Sequence, residues 1–458
     1  METTKKGSGI AFLPLLVFMV IYVGAGVYFQ LQGVDYAFYQ FPAAGAMVIS
    51  IFLAFVLGIK KEKFQDTLNA FVGGIANNDI ITMLLIYLMA GAFSGIASAM
   101  GGRDATVNLG LSLIPAQFLA AGVFIISAFM GTATGTSIGT ISAVVPIAIG
   151  VADKGGLNVA LVAGACVGGA IFGDNLSMIS DTTIAATRTQ GVHMKDKFRV
   201  NLLIALPAAI LNIVLLLIFG RPETAAAIGD LDFNIIKVLP YIIVFILAIV
   251  GVNVFFVLAV GIVIASCIGM AFGDFTFAGA ATALYNGITG MDEVFYMTLL
   301  AAGLAALTKY RGGIEWLISK LKNIAKTNKG SQLVIAFLVA VLDLAVANNT
   351  VAIILSGDIS KNISKDYRID PRKTASLLDI FSCVPQGLLP YSGQLLITAS
   401  MATAFGFNLS AVNFIPYIWY AFLLCGFGLL SIFFPFAEKT IRKNPWNWEK
   451  DCREAEVQ

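Results

Sequence analysis

The stretch Ile171–Thr183, "IFGDNLSMISDTT", concentrates groups that could do chemistry in a sequence otherwise dominated by apolar residues. Asp174 and Asp181 stand seven residues apart, with Asn175, Ser177, Ser180, Thr182 and Thr183 around them. On a continuous helix that spacing puts both carboxylates on one face. On a helix broken between them, they approach a common point from two half-helices. In either case two carboxylates in a low dielectric do not both ionise easily, so the pair holds a proton or a metal cation. The hydroxyls and the amide supply the neutral oxygens a hard cation prefers. The chemistry this implies is binding of Na⁺ at Asp174 and Asp181, in competition with H⁺.

Three further stretches carry related chemistry. "FMGTATGTSIGT" (Phe129–Thr140) sets Gly131, Gly135 and Gly139 at four-residue intervals among Thr132, Thr134, Thr136, Ser137 and Thr140. Small residues at that interval let helices pack closely in lipid. Glycine also lets a helix unwind and expose carbonyls to a cation, which makes Thr136, Ser137 and Thr140 candidate cation ligands. "LDLAVANNTVAIILSGD" (Leu342–Asp358) offers Asn348, Asn349 and Thr350 to a cation or to an organic substrate. "DIFSCVPQGLLPYSGQ" (Asp379–Gln394) places Gln386, Tyr391 and Ser392 among Pro385, Gly387 and Pro390, a composition that breaks a helix, with Asp379 upstream. Asp343 is a further carboxylate in an apolar run.

The elements that must position these residues follow from composition. The 458 residues are 58% hydrophobic and 12% charged, against roughly 25% charged in soluble domains. Apolar runs of about twenty residues, enough to span a bilayer as helix, recur throughout. Since strand-like alternation is lacking, the fold expected is an all-α polytopic membrane protein. The first apolar run is read as a retained helix, and the five scattered cysteines indicate neither disulfides nor a metal site. His193, set among basic residues, reads as a solvated loop histidine. The lack of a Walker or acyl-transfer motif argues against ATP-driven pumping and against an enzyme.

Basic residues cluster at Lys60–Lys63, Arg188–Arg199, Lys309–Lys329, Lys361–Lys373 and Lys439–Lys443. The positive-inside rule puts these clusters and both termini in the cytoplasm. The acidic loop from Gly220 divides the chain into similar halves. Each has a span, a polar break, a span, a second break and a span. Matched broken helices point to a secondary transporter with its site near mid-membrane. The expected organisation is an N-terminal repeat over 1–220, an extracytoplasmic loop over 221–233, a C-terminal repeat over 234–438 and a cytoplasmic tail over 439–458. It comprises two inverted-topology repeats with broken helices and re-entrant hairpins, in about 10–13 membrane segments.

"FGDNLSMISDTT" resembles the motif FGDKxSPxSDTT of the NhaC-type Na⁺/H⁺ antiporters, within the larger ion-transporter superfamily. "GTATGTSIGT" is similar to that family's Gly/Ser/Thr-rich segment, and "DIFSCVPQGLLPYSG" to its second-half motif, with Asp379 and Pro390-Tyr391 in the matching places. The resemblance spans roughly residues 40 to 435. It implies an inverted-repeat fold, often dimeric, that exchanges Na⁺ for protons or for a small carboxylate. It assigns Asp174, Ser177, Ser180, Asp181, Thr182 and Thr183, and more loosely Asp379, to the site. Asn175 and Met178 stand where the family has Lys and Pro, and "VANN" carries amides where an acidic residue is expected. A neutral, amide-rich second half suits the alternative, a Na⁺-coupled or exchange carrier of an amino acid or small organic acid. The expected partners are the bilayer of a bacterial inner membrane, Na⁺, H⁺ and a small solute, with no nucleic acid and no cofactor beyond the transported ions.

Overall fold

The computed structural model describes residues 7–32, 34, 40–58, 62–113, 115–178, 180–222, 232–250, 252–322, 327–346, 348–438, 441 and 443–447. The expected connecting loop and C-terminal tail lie for the most part outside the described residues. Among those residues the regular structure is helical throughout. Among the described residues, eight helices are long and apolar enough to cross a bilayer, and the pair Ala411–Tyr417 and Trp419–Phe433, bent by 55°, makes a ninth. Two shorter apolar helices, Ala43–Gly58 and Ile235–Leu247, bring the apolar segments within the expected range.

The polar breaks divide the helices as their residues dictate. In the first half, Leu119–Thr134 ends at Gly135, whose φ of +68° is open to glycine at little cost. Thr136 is extended and caps the next helix, Ser137–Lys154. The two arms pack on each other as a first hairpin. Next, Val159–Leu176 and Asp181–Gln190 follow one another as an interrupted helix, with Ser177 and Ser180 extended between them. The long helix Met194–Phe219 closes the half.

The second half repeats the order. Asn328–Val346 and Asn349–Asp366 form a second hairpin, and extended Asn348 caps the second arm by accepting from Val351 N at 3.0 Å. Pro371–Gln386 and Gly393–Ala404 form a second interrupted helix. Ser392 caps its second piece, and Trp419–Phe433 closes the half.

The two hairpins enter from opposite ends. At the open end of the first, Lys154 Nζ bonds to Asn108 Oδ1 (3.1 Å) and Asn108 Nδ2 donates to Asp232 O (2.7 Å). At the open end of the second, Lys329 Nζ donates to Phe433 O (3.1 Å), at the end of Trp419–Phe433. Each second arm packs on the other half's interrupted helix: Ser137–Lys154 on Gly393–Ala404, and Asn349–Asp366 on Asp181–Gln190. The tips therefore meet in the middle of the bundle.

Candidate functional site

Asp174 lies at the end of the first piece of the first interrupted helix and is 5% exposed. A carboxylate at a helix C-terminus faces the negative end of that helix's own dipole. Its partners come from elsewhere. Oδ2 accepts from the backbone N–H (3.1 Å) and the hydroxyl (2.9 Å) of Ser137, the first residue of the hairpin's second arm. That N–H is one of the orphan donors of a helix N-terminus. Oδ1 accepts from Ser180 Oγ at 2.5 Å. Ser180 occupies the N-cap position of Asp181–Gln190 yet makes no cap bond, its hydroxyl being committed to Asp174 and, at 2.8 Å, to Thr182. Gln394 Nε2 donates to Ser137 Oγ at 3.1 Å, which ties the second interrupted helix to the same point.

Asp174 lines a cavity of about 470 Å³ together with Ser137, Ser180, Asp181, Asn349 and Gln394. Thr136, Thr182, Asn348 and Thr350 also face it. Side chains from both hairpin tips and both interrupted helices thus share one space. Asp181, Ile184, Ala185 and Arg188 line it from a single face of their helix. The cavity accordingly extends from the break along that helix towards the basic end of the molecule, where Arg188 is exposed.

Behind the cavity lies a second polar knot. Lys197 and Asp379, 1% and 0% exposed, form an ion pair between Met194–Phe219 and Pro371–Gln386. Lys197 Nζ also donates to Asn175 O and Thr183 Oγ1, both at 2.8 Å. Asn201, one turn along the same helix face, donates to Asp379 Oδ2 (3.2 Å) and Asn175 O (3.1 Å), and accepts from Ser376. The freed carbonyl at the end of Val159–Leu176 is thereby satisfied from across the bundle.

A family model described as the Na⁺/H⁺ antiporter family matches residues 2–221 and 231–437. The chain belongs to that family. The antiporter is 26% identical over 455 residues to the malate-2H⁺/Na⁺-lactate antiporter of Bacillus subtilis, covering 91% of this chain and 94% of that one. It is 22% identical to the Na⁺/H⁺ antiporter NhaC of Alkalihalophilus pseudofirmus, over 82% and 87% of the two chains. Among solved structures, that of the Alcanivorax borkumensis YdaH transporter overlaps it with a TM-score of 0.43 at 14% identity, covering 83% of this chain and 89% of that one.

Of the residues singled out in the antiporter's sequence, Asp174, Ser180, Asp181, Thr182, Thr136, Ser137, Asn348, Asn349 and Thr350 face the cavity. The others face elsewhere. Asn175 turns its amide to Asn201, Thr183 accepts from Lys197, and Ser177 is buried in the break. Thr140 donates back to Thr136 O at 2.9 Å within the hairpin. Asp379 belongs to the lysine knot, Gln386 bonds to Asp343 (2.7 Å), Tyr391 donates to Leu344 O (2.6 Å), and Ser392 is spent on its cap. Asp181 is exposed to the cavity whereas Asp174 is buried, so the two acids have different surroundings.

Reasoning from the sequence missed Gln394, Arg188, Lys197 and Asn201 as site residues. Lys197 falls within the basic cluster Arg188–Arg199, yet it is buried. The signal that reveals it is spacing: Lys197 and Asn201 are polar residues one helical turn apart on an apolar helix.

Proposed function

We infer that the protein is a secondary antiporter of a bacterial cytoplasmic membrane, with both termini in the cytoplasm, and that it exchanges Na⁺ for H⁺ at a site centred on Asp174. The observation that carries this reading is the convergence of Ser137 and Ser180 on one buried carboxylate that lines a cavity, with Gln394 of a third broken element bonded to Ser137. Asp174 supplies the negative charge. The Ser137 and Ser180 hydroxyls, which can rotate their protons away, offer lone pairs to the ion. Asp181 draws cations into the cavity. A proton on the carboxylate of Asp174 and Na⁺ beside it exclude one another, which couples the two fluxes.

The test uses proteoliposomes with a pH-sensitive dye inside, challenged with external Na⁺. Wild-type protein should alkalinise the medium from which it draws H⁺, and Asp174→Asn should abolish the signal. Asp181→Asn should raise the Na⁺ concentration for half-maximal exchange roughly tenfold, equivalent to about 1.4 kcal/mol, because an exposed charge attracts weakly through water. Full exchange by Asp174→Asn would rule out the assignment.

One observation favours a second reading. Arg188 and the amides of Asn348, Asn349 and Gln394 line the same cavity, and a guanidinium with amides suits a small carboxylate. On this reading a carboxylate or amino acid moves in exchange or with Na⁺. A gradient of such a solute would then drive Na⁺ flux in the same vesicles, and Arg188→Gln would remove that response alone.

A further inference from the structure

Asp343 sits five residues before the tip residue Asn348, on the first arm of the second hairpin, and is fully buried. One oxygen, Oδ1, accepts from Gln386 Nε2 at 2.7 Å, across to the second interrupted helix. The other, Oδ2, has no hydrogen-bond partner. Among the described residues no Lys, Arg or His forms an ion pair with Asp343, whereas Asp379 is held by Lys197. The titratable groups facing it are the Cys383 thiol and the Tyr391 hydroxyl, both from the second interrupted helix and its break. Among the described residues, the other helices packed on this arm bring no charged group that acts on it.

The first half shows what packing alone requires at this crossing. The residue five before its tip residue Thr136 is Gly131, which lies directly on Gly173 and the backbone of Asp174. At the corresponding position of the second hairpin stands a carboxylate with one oxygen free. A buried, uncompensated charge is expensive, and an ionisable side chain kept at membrane depth is there to change its charge.

We propose that Asp343, bonded to Gln386, is a second proton-carrying site of the exchanger, separate from the cavity at Asp174. The proton leaves the Asp343 carboxyl group for water at one side of the membrane and is replaced from water at the other, with the Gln386 amide donating throughout. Space for water is near: a second cavity, of about 610 Å³, reaches Val346, one turn along the same arm, and Asn348 at the tip. The two cavities share Asn348, so a movement of this tip changes access to both acids together.

The inference rests on the Na⁺/H⁺ exchange argued above, and two measurements separate their failures. In proteoliposomes, the membrane potential that nulls flux gives the H⁺/Na⁺ ratio. Asp343→Asn should lower that ratio by one proton and change the pH profile, while Na⁺ still protects the purified variant against heat. An unchanged ratio and profile would overturn the second site and leave the exchange reading standing. No exchange by wild-type protein would overturn the exchange reading. Infrared spectroscopy then tests Asp343 without transport. In Asp174→Asn, which removes the other proton carrier, a carboxylic-acid band should persist at neutral pH and vanish at alkaline pH. Adding Asp343→Glu should shift that band. Absence of the band, or a band indifferent to the Asp343→Glu change, would overturn the proposal even if Asp343→Asn does not fold.

Discussion

Lys197 and Asp379 set the energetic terms at the scale of single residues. Their ion pair is fully enclosed, and each charge has further partners: Asn175 O and Thr183 Oγ1 on the lysine, Asn201 on the aspartate. Such pairs contribute little net stability, because desolvation offsets their attraction, but removing one member strands the other at a cost of about 3–5 kcal/mol. Lys197→Met should therefore lower the thermal unfolding temperature sharply in detergent. Adding Asp379→Leu should recover at least half of the loss, since no charge is then left unpaired. A double variant that melts lower still would mean that the pair is net stabilising and that its attraction outweighs its desolvation. Counting charge along the chain could not separate Lys197 from its exposed neighbours. Loop and buried lysines look alike in composition, and only the helix face on which Lys197 and Asn201 coincide tells them apart.

At the scale of elements, the hairpins and interrupted helices were legible because their residues have strong backbone preferences. Gly135 takes the left-handed conformation, Pro385 and Pro390 disturb a helix, and Ser180, Asn348 and Ser392 begin new ones. What lay beyond sequence was how closely the pieces approach. The first hairpin meets the first interrupted helix backbone to backbone. A side-chain carbon on Gly173 would come within 2.5 Å of Thr132 N and 2.6 Å of Ala128 O, and backbone atoms held in two helices cannot yield locally. Gly173 also immediately precedes Asp174. Gly173→Ala should thus push the hairpin tip off the carboxylate, with a strain cost of about 1–3 kcal/mol. The expected outcome is a lower melting temperature and loss of protection by Na⁺. Gly73→Ala, where a side-chain carbon meets open space, should leave Na⁺ protection unchanged. Equal protection in Gly173→Ala and wild type would show that the Ser137–Asp174 contact is not what holds the ion.

At the scale of the whole molecule, two halves inserted from opposite ends bring polar tips into an apolar bundle, so that neither tip faces lipid. The repeat was visible as a pattern of breaks, but which break residues would gather was not. Inverting one half reverses the face each break presents, so that Asn348 and Asn349 join Asp174 in the cavity while Asp379 and Gln386 turn to the partners behind it. The direction in which the cavity runs is a property of the whole assembly. It follows Asp181–Gln190 to Arg188, within a basic cluster that the positive-inside rule assigns to the cytoplasm. On the orientation proposed above, this arrangement corresponds to a cytoplasm-facing state, in which Asn349 is reachable from the cytoplasm and screened from outside by the first hairpin. A cysteine introduced by Asn349→Cys, after replacement of the native cysteines, should react with a membrane-impermeant maleimide in inside-out vesicles and much more slowly in right-side-out ones. Na⁺ should slow the inside-out reaction if the ion occupies the cavity. Faster labelling in right-side-out vesicles would reverse the assigned orientation, and labelling at equal rates from both sides would show that the resting protein alternates rather than waiting open to the cytoplasm.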